Sequence, residues 1–315
     1  MPERPVERRL CLLLAARRWF KDQPLSAAFA KALGRASRED REAGELSQLR
    51  RPFRVRPAQS WPSAALIEGL SQRPSDVTPF RWLRADPVWL QADLSTARLM
   101  AWGNLGLSAE EATALIKPLK PLFGDTGFVI EAREPESWIV QCPRETRLPD
   151  FPHPLDALGD DAFPHLPSGP EARRWRALLG EAQVLLHQNP INAERLRHGL
   201  PPANSLWFWG GGVWPDQVDS AFAAVATADP ELAAYAQASG ATVGVAVDAA
   251  RPGLIDLRAE RRWPSVDDLL QLALAALRSG TLDVVELDFG DGHGVRFEPG
   301  QRWRFWKRPA RDLGA

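Results

Sequence analysis

The sequence contains few of the residues that define specialised classes of protein. It has two cysteines, Cys11 and Cys142, which excludes a disulfide framework and a cysteine-rich zinc module. Its net charge is −1 at pH 7, which argues against a globally basic nucleic-acid-binding protein. The composition therefore indicates an ordinary globular protein and does not by itself indicate a function.

Long apolar runs are also missing. The run at 10–16 has seven residues and is closed by Arg17 and Arg18, whereas a membrane span needs about 20 apolar residues. A signal peptide would need a longer run and a cleavage site with small residues. We therefore expect a buried strand at 10–16, no membrane association and a cytoplasmic location.

The chain does have the means to build a large core. Of its 315 residues 44% are hydrophobic, and 13 are tryptophan against one tyrosine. Its charges are uneven, because residues 1–60 hold 14 Lys and Arg against seven Asp and Glu. That excess is either a basic surface for an anion or nucleic acid, or a set of solvated helix faces. Since aromatic residues do not interleave with these charges, nucleic-acid binding is not favoured.

The order of predicted elements indicates an α/β fold. Strands alternate with helices in the second half, which favours a layered, mostly parallel sheet, with additional α+β elements toward the N-terminus. Residues 143–170 contain seven prolines and are predicted to form a linker or irregular loop. This segment would separate an α+β region at 1–142 from an α/β region at 171–315, unless the two form one continuous domain.

Polar, aromatic and glycine residues concentrate between positions 187 and 212. The candidate ligand-binding residues are His187, Asn189, Asn192, Arg195, Asn204, Trp207, Trp209, Gly210, Gly211 and Gly212. A strand is predicted at 204–209, with Trp207 and Trp209 on one face and the glycines as a loop after it. Ligands of open α/β sheets bind beyond the carboxyl ends of strands, where glycines allow close approach.

This segment allows two interpretations. It is a binding site for a small anion or a protein partner if Arg195 offers its forked donors to a carboxylate or phosphate. It is structural if the asparagines cap turns, Arg195 pairs with Glu194 or a carbonyl, and the tryptophans lie in the core. The residues alone leave both open.

A resemblance adds to this pattern. The segment reads Asn-Pro-x-Asn-x-x-Arg-x-x-Gly-Leu-Pro-Pro-x-Asn-Ser-Leu-Trp-x-Trp-Gly-Gly-Gly and resembles the RpfE-type regulatory proteins of proteobacteria, often labelled phosphoglycerate mutase. The likeness extends to Leu-Arg-Ala-Asp-Pro-Val at 83–88 and Arg-Phe-Trp-Lys at 304–307. The central stretch is also similar to cofactor-independent phosphoglycerate mutases of the alkaline-phosphatase superfamily. That similarity implies a reduced alkaline-phosphatase-like core, in a superfamily whose enzymes carry a two-metal site.

The residues that such a metal site needs are not evident. The first strand of the mutases leads into an Asp-Gly segment, whereas here Arg17, Arg18 and Trp19 follow it. Beyond residue 198 the sequence has one histidine, His293. The segment 288–293 around it resembles part of a metal site, but Gly-Asp-Gly at 290–292 is also typical of a hairpin turn. We therefore expect no metal, no cofactor and no catalytic residue.

Three hypotheses remain at this point. The first is a regulatory protein that binds a small anionic ligand or a protein partner and derives from a phosphoglycerate-mutase-like fold. The second is a phosphoryl-transfer enzyme of the mutase type. The third is a regulator that binds nucleic acid through the basic residues 1–60.

Overall fold

The computed structural model describes residues 7–58, 61–70, 74–93 and 96–314. The chain forms two compact units. The first combines residues 1–54 with 217–315, and the second is 55–216. The division does not follow the predicted boundary, because residues 143–170 lie inside the second unit.

The described residues form the following strands and helices. The strands are β1 (Arg9–Leu14), β2 (Ser37–Asp40), β3 (Phe53–Arg56), β4 (Phe80–Ala92), β5 (Ala97–Trp102), β6 (Val129–Glu134), β7 (Ser137–Pro143), β8 (Ser205–Gly212), β9 (Gln217–Ser220), β10 (Ala224–Ala226), β11 (Thr242–Gly244), β12 (Gly253–Leu257), β13 (Val284–Phe289) and β14 (His293–Phe297). The helices are α1 (Ala27–Arg35), α2 (Glu45–Arg50), α3 (Ser63–Glu68), α4 (Pro74–Val77), α5 (Ala109–Ile116), α6 (Leu119–Gly124), α7 (Ala172–His187), α8 (Pro190–Arg197), α9 (Pro230–Ala238) and α10 (Trp263–Ser279). Short 3-10 turns lie at Arg17–Phe20, Pro154–Asp156, Phe163–His165 and Pro299–Trp303. No described helix is both long and apolar enough to cross a membrane.

The first unit is built on a sheet with β1 at its centre. Among the described residues the strand order is β11-β10-β12-β1-β13-β14-β2. The strands from β11 to β13 run parallel, and β14 and β2 extend the sheet antiparallel. The predicted α/β fold with a mostly parallel sheet is confirmed in this unit.

The two faces of β1 differ in character. Leu10, Leu12 and Leu14 pack into a hydrophobic core with Phe29 of α1 and Trp263 of α10. Because side chains alternate along a strand, the residues between them face the other side of the sheet. That second face carries charged groups and is part of the site described below.

The second unit is an antiparallel sheet with helices packed against it. Its long strand β4 pairs with β7 over its first part, with β5 over its last part and with β8 over its middle. β6 joins the sheet through β7. Trp138, Trp175 and Phe208 share a core with apolar residues of α5, α6 and α7.

The Pro-rich segment 143–170 packs onto this sheet. Phe151 contacts Trp175 and Phe208, and Leu158 forms a bridge with Leu99 of β5. The prolines prevent regular backbone hydrogen bonding. The irregular backbone predicted for this segment is therefore present. The prediction of a linker does not account for these contacts, nor for Ala157 and Ala162, which are buried in the segment.

Gly34 allows two backbone segments to approach closely. It lies inside α1, which continues through it to Arg35. A Cβ at position 34 would collide with the backbone carbonyl of Arg308. The glycine therefore allows the C-terminal segment to pack against α1, where the N–H of Ala310 donates to the carbonyl of Ala30 at 2.8 Å.

We expect Gly34→Ala to reduce the free energy of unfolding by about 1–3 kcal/mol, because the added methyl group displaces the segment around Arg308. Gly180→Ala is a matched control in α7, where a Cβ would meet nothing within 4 Å. That variant should gain about 0.5–1 kcal/mol from helix propensity. Urea unfolding followed by circular dichroism checks both, and equal effects of the two substitutions would contradict the packing account.

Candidate functional site

The predicted site begins at the turn between α7 and α8. His187 is exposed in the last turn of α7. Asn189 caps α8: its side-chain oxygen accepts from the N–H of Ile191 at 3.1 Å, and its amide donates to the carbonyl of Ala114 at 3.2 Å. The Asn189 side chain is therefore engaged by the protein itself.

Asn192 and Asn204 both pair with backbone. Asn192 is 3% exposed, and its amide donates to the carbonyls of Leu186 and Ala203 at 2.8 and 2.9 Å. Its oxygen accepts from the N–H of Ala203 at 2.8 Å. Asn204 bonds both backbone groups of Leu90, at 2.9 and 2.8 Å. Both side chains thus form the hydrogen bonds with backbone groups that another strand or turn would otherwise form.

Arg195 is the most buried of these polar residues, with 1% of its surface exposed. Its Nε donates to the carbonyl of Pro201 at 2.9 Å, and one terminal nitrogen donates to Glu111 at 2.7 Å. The other donates to the carbonyl of Leu105. Glu111 also completes the capping box of α5 with Ser108. Arg195 therefore joins α8 to the start of α5. It pairs with Glu111 and not with Glu194, the carboxylate considered from the sequence.

The three glycines belong to β8 and do not form the predicted loop. Gly210 has φ of +64°, and a Cβ there would lie 3.1 Å from the Cβ of Ser63. A Cβ at Gly211 would lie 2.7 Å from a methyl carbon of Leu148. These glycines are needed because α3 and the Pro-rich segment pack closely against the strand.

Trp207 and Trp209 share one face of β8, as predicted, and pack in a cluster with Val88 and Leu99. Leu206 and Phe208 belong to the core that contains Trp138 and Trp175. The indole N–H of Trp207 donates to the carbonyl of Pro152 at 3.0 Å. Both tryptophans are about 95% buried, since 5% and 3% of their surfaces are exposed. They are core residues and do not form an exposed surface on which a ligand could bind.

The sequence did not single out Asp86, the centre of this cluster. Its carboxylate is 1% exposed and accepts from Arg84 at 2.6 and 3.1 Å. It also accepts from the indoles of Trp209 and Trp102 at 2.7 and 3.0 Å and from the backbone N–H of Trp138 at 3.0 Å. The spacing Arg84-x-Asp86 on a strand was the available signal, because it places both side chains on one face.

The structure thus brings most of the predicted residues together but directs their polar groups inward. The asparagines and Arg195 contact backbone and one carboxylate, and the tryptophans are buried. These are the contacts of the structural interpretation, and a ligand-binding role for the segment stays a prediction.

A second cluster lies on the charged face of the sheet in the first unit. Asp288 is 2% exposed and pairs with Arg41 at 3.1 Å and with Arg51. Glu286, 5% exposed, pairs with Arg296 at 2.6 Å. These residues line an open cleft of about 370 Å³. Its acidic groups are thus largely neutralised by arginine.

Both cysteines are buried. Cys11 lines the same cleft, and burial, followed by the charges of Asp288 and Glu286, raises the pKa of its thiol. Burial raises the pKa of the Cys142 thiol to about 12. Neither thiol is therefore activated as a nucleophile.

A third group lies at the carboxyl ends of β10 and β12. Arg258 donates to Asp256 at 2.9 Å and to Asp229 at 2.8 Å, and Thr227 donates to Asp256 at 2.8 Å. Burial alone would raise the pKa of Asp256, but the hydrogen bonds and charge of Arg258 hold it below its ordinary value. Both carboxylates are therefore already paired with a cation of the protein.

The segment 288–293 forms the predicted hairpin. β13 and β14 pair antiparallel, and Gly292 has φ of +81° in the turn. Asp291 pairs with Arg17 at 2.9 Å. Burial, followed by the charges of Arg17 and Arg38, lowers the pKa of His293 below 6.5. Among the described residues no group of three or more His, Cys, Asp or Glu side chains is placed to hold a metal ion.

Comparison with known proteins gives a partial match. No model of a protein family matches the sequence. Over 62 residues the chain is 39% identical to the 2,3-bisphosphoglycerate-independent phosphoglycerate mutase of Methanothrix thermoacetophila, and 40% identical to the probable mutase of Geobacter sulfurreducens. Each stretch covers 20% of this chain and 16% of the relative. The predicted similarity to these mutases is confirmed for that part of the chain, and the RpfE-type resemblance stays a prediction.

Two solved structures can be aligned with most of the chain, but with low TM-scores. The PH0037 protein from Pyrococcus horikoshii covers 93% of this chain and 88% of its own, with a TM-score of 0.47 and 12% identity. The cofactor-independent phosphoglycerate mutase from Thermoplasma acidophilum covers 92% and 89%, with a TM-score of 0.40 and 16% identity. Scores below 0.5 establish no common fold.

We expect Arg195→Ala to reduce the free energy of unfolding by about 2–4 kcal/mol, because the carbonyls of Leu105 and Pro201 lose their side-chain donor and Glu111 loses its ion pair. Arg197→Ala is the matched control two residues along, where the side chain is 71% exposed and pairs with Glu194. Its effect should stay within about 0.5 kcal/mol. Urea unfolding measures both. An Arg195→Ala variant of wild-type stability would contradict the structural role.

The lowered pKa of His293 predicts a pH dependence of stability. The unfolded chain takes up a proton on this imidazole near pH 6.5, whereas the folded chain does so only at lower pH. Stability is therefore lost as the pH falls through this window. The free energy of unfolding of wild type, measured from pH 8 to 5, should fall more steeply than that of His293→Gln. Parallel profiles, or a steeper fall in the variant, would contradict this assignment.

Proposed function

We propose that the chain is a regulatory, ligand-binding protein of the RpfE type, derived from a phosphoglycerate-mutase-like fold and lacking two-metal catalysis. It acts by binding a small anionic ligand or a protein partner. The observation that carries the proposal is the position of Arg258 between Asp229 and Asp256, because it pairs with the carboxylates at the sheet end where an enzyme of this type would need free metal ligands.

The electrostatics of this pairing support a role other than metal binding. Carboxylates at strand ends are natural ligands for divalent cations. A guanidinium within 2.9 Å of both Asp229 and Asp256 supplies the charge that a metal would otherwise supply. A cation would have to displace Arg258, whose side chain is only 10% exposed.

The same pairing recurs at two further carboxylates of this unit. Asp291 is held by Arg17, and Asp288 by Arg41 and Arg51. Catalysis with two metals needs several carboxylate or imidazole ligands free for both ions. The arrangement supports a binding protein because those acidic groups are already used in structure.

A second candidate is a phosphoryl-transfer enzyme of the phosphoglycerate mutase type. It is favoured by the identity of 39–40% to two mutases over 62 residues. Because these matches cover 16% of each relative, the activity of those enzymes is the alternative to be tested.

We expect no interconversion of 2- and 3-phosphoglycerate by the purified protein, with or without added Mn²⁺. The measurement is an assay coupled to enolase, with a cofactor-independent mutase as the positive control. The physical reason is that Arg258, Arg17 and Arg41 hold the carboxylates that would bind the ions.

Turnover that depends on Mn²⁺ and is lost in Asp256→Asn, Asp291→Ala or His293→Ala would overturn the proposal. A thermal-shift series with anions tests its positive half, because a ligand of the folded state raises the melting temperature. Stabilisation only by Mn²⁺ together with phosphoglycerate would favour the enzyme.

A further inference from the structure

A cleft in the first unit is distinct from the charged face of the sheet. It has a volume of about 520 Å³ and lies between α1, the end of α10 and the 3-10 turn Pro299–Trp303. Leu274, Leu277 and Phe297 contribute to its lining, together with the small side chains of Ala28 and Ala32. Cavities for small molecules commonly measure about 300–1,000 Å³ and are mostly apolar. This cleft matches both properties.

Four cations also line the cleft: Lys31, Arg35, Arg278 and Arg302. Within the described part of the chain none of them forms an ion pair with a carboxylate. The acidic residue of the lining, Glu298, is paired with Arg296 at 2.9 Å. The cleft therefore carries positive charge that the protein does not neutralise.

Arg35 shows this most clearly. One of its terminal nitrogens donates to the carbonyl of Arg302 at 3.0 Å. Its Nε is buried and has no hydrogen-bond partner among the described residues. A buried N–H without an acceptor costs free energy, so the described part of the protein leaves this guanidinium incompletely satisfied. By contrast, Arg258 and Arg296 in the same unit are fully engaged with carboxylates.

We propose that this cleft binds a small amphipathic anion, with an apolar body against Leu274, Leu277 and Phe297 and one carboxylate or phosphate among the four cations. The inference rests on the proposed ligand-binding function and adds to it a place and a ligand class. The apolar lining selects a hydrocarbon or aromatic body by burial. The guanidinium groups select an acidic group by charge-assisted hydrogen bonds.

The test uses octanoate and octyl phosphate as probes on the full chain, with binding measured by calorimetry and thermal shift. Octan-1-ol lacks the charge, whereas acetate and inorganic phosphate lack the apolar body. We expect saturable binding of the amphipathic anions, and binding at least about tenfold weaker for each of the partial probes. Equal binding of octan-1-ol and octanoate would contradict the role of the cations.

Two variants locate the binding. Ala28→Trp fills the cleft from an exposed position of α1 and should abolish binding, whereas Leu272→Trp, at a position 56% exposed on α10 and outside the cleft, should not. Arg278→Gln with Arg302→Gln should weaken octanoate binding about tenfold or more, whereas the exposed Arg311→Gln should leave it unchanged. Undiminished binding in Ala28→Trp would overturn the proposal, as would binding only to anionic vesicles or to single-stranded nucleic acid.

The two proposals fail in different ways. Mn²⁺-dependent mutase turnover would overturn the binding-protein function whatever octanoate does. If instead turnover is absent and neither octanoate nor octyl phosphate binds, the cleft assignment is wrong, while the proposed function stands or falls with other anions in the thermal-shift series.

Discussion

A carboxylate taken out of water costs several kcal/mol unless opposite charge or several N–H donors surround it, and in this protein arginine meets that need at several buried carboxylates. Asp86 is held by Arg84 and by three N–H groups of tryptophans. Asp288, Glu286 and Asp256 are each held by one or more arginines. The placement of these pairs fixes which side chains can line a site and which are committed to structure.

The sequence predicts what depends on local order. The alternation along β8 and the hairpin around Gly292 follow from period-two patterns and turn residues, and the structure has both. The buried strand predicted at 10–16 is also present, with the bounds Arg9–Leu14. The mostly parallel sheet of the first unit follows from the alternation of strands and helices. Each of these features is set by residues close together in the chain.

The features that the sequence did not predict depend on partners far away in the chain. Arg195 meets Glu111 and the carbonyl of Leu105, 84 and 90 residues away. Glycine is required at position 211 because Leu148 packs against it, and at position 34 because the backbone of Arg308 lies against it. The first unit is closed by 217–315 returning to 1–54, and no local composition marks that return. The prolines of 143–170 were misleading because they report irregular backbone and not separation between domains.

Because the carboxylates discussed above are paired with arginines, the cations without a carboxylate partner are the charged groups available to a ligand. The polar residues of 187–212 are turned inward, whereas the cleft beside α1 combines apolar lining with charge that has no internal partner. This arrangement underlies the proposal that the protein binds an anion. In the first unit, guanidinium groups pair with Asp229, Asp256, Asp288 and Asp291.

Titration of the metal-free protein with Mn²⁺, followed by the electron paramagnetic resonance of the free ion, tests this central claim most directly. If the arginines hold the carboxylates of the first unit, the signal of free Mn²⁺ should follow the added concentration through the micromolar range, with no saturable loss. Loss of one or two equivalents per chain, abolished by Asp256→Asn or by Asp288→Asn, would show that these carboxylates form a metal site and would contradict the account.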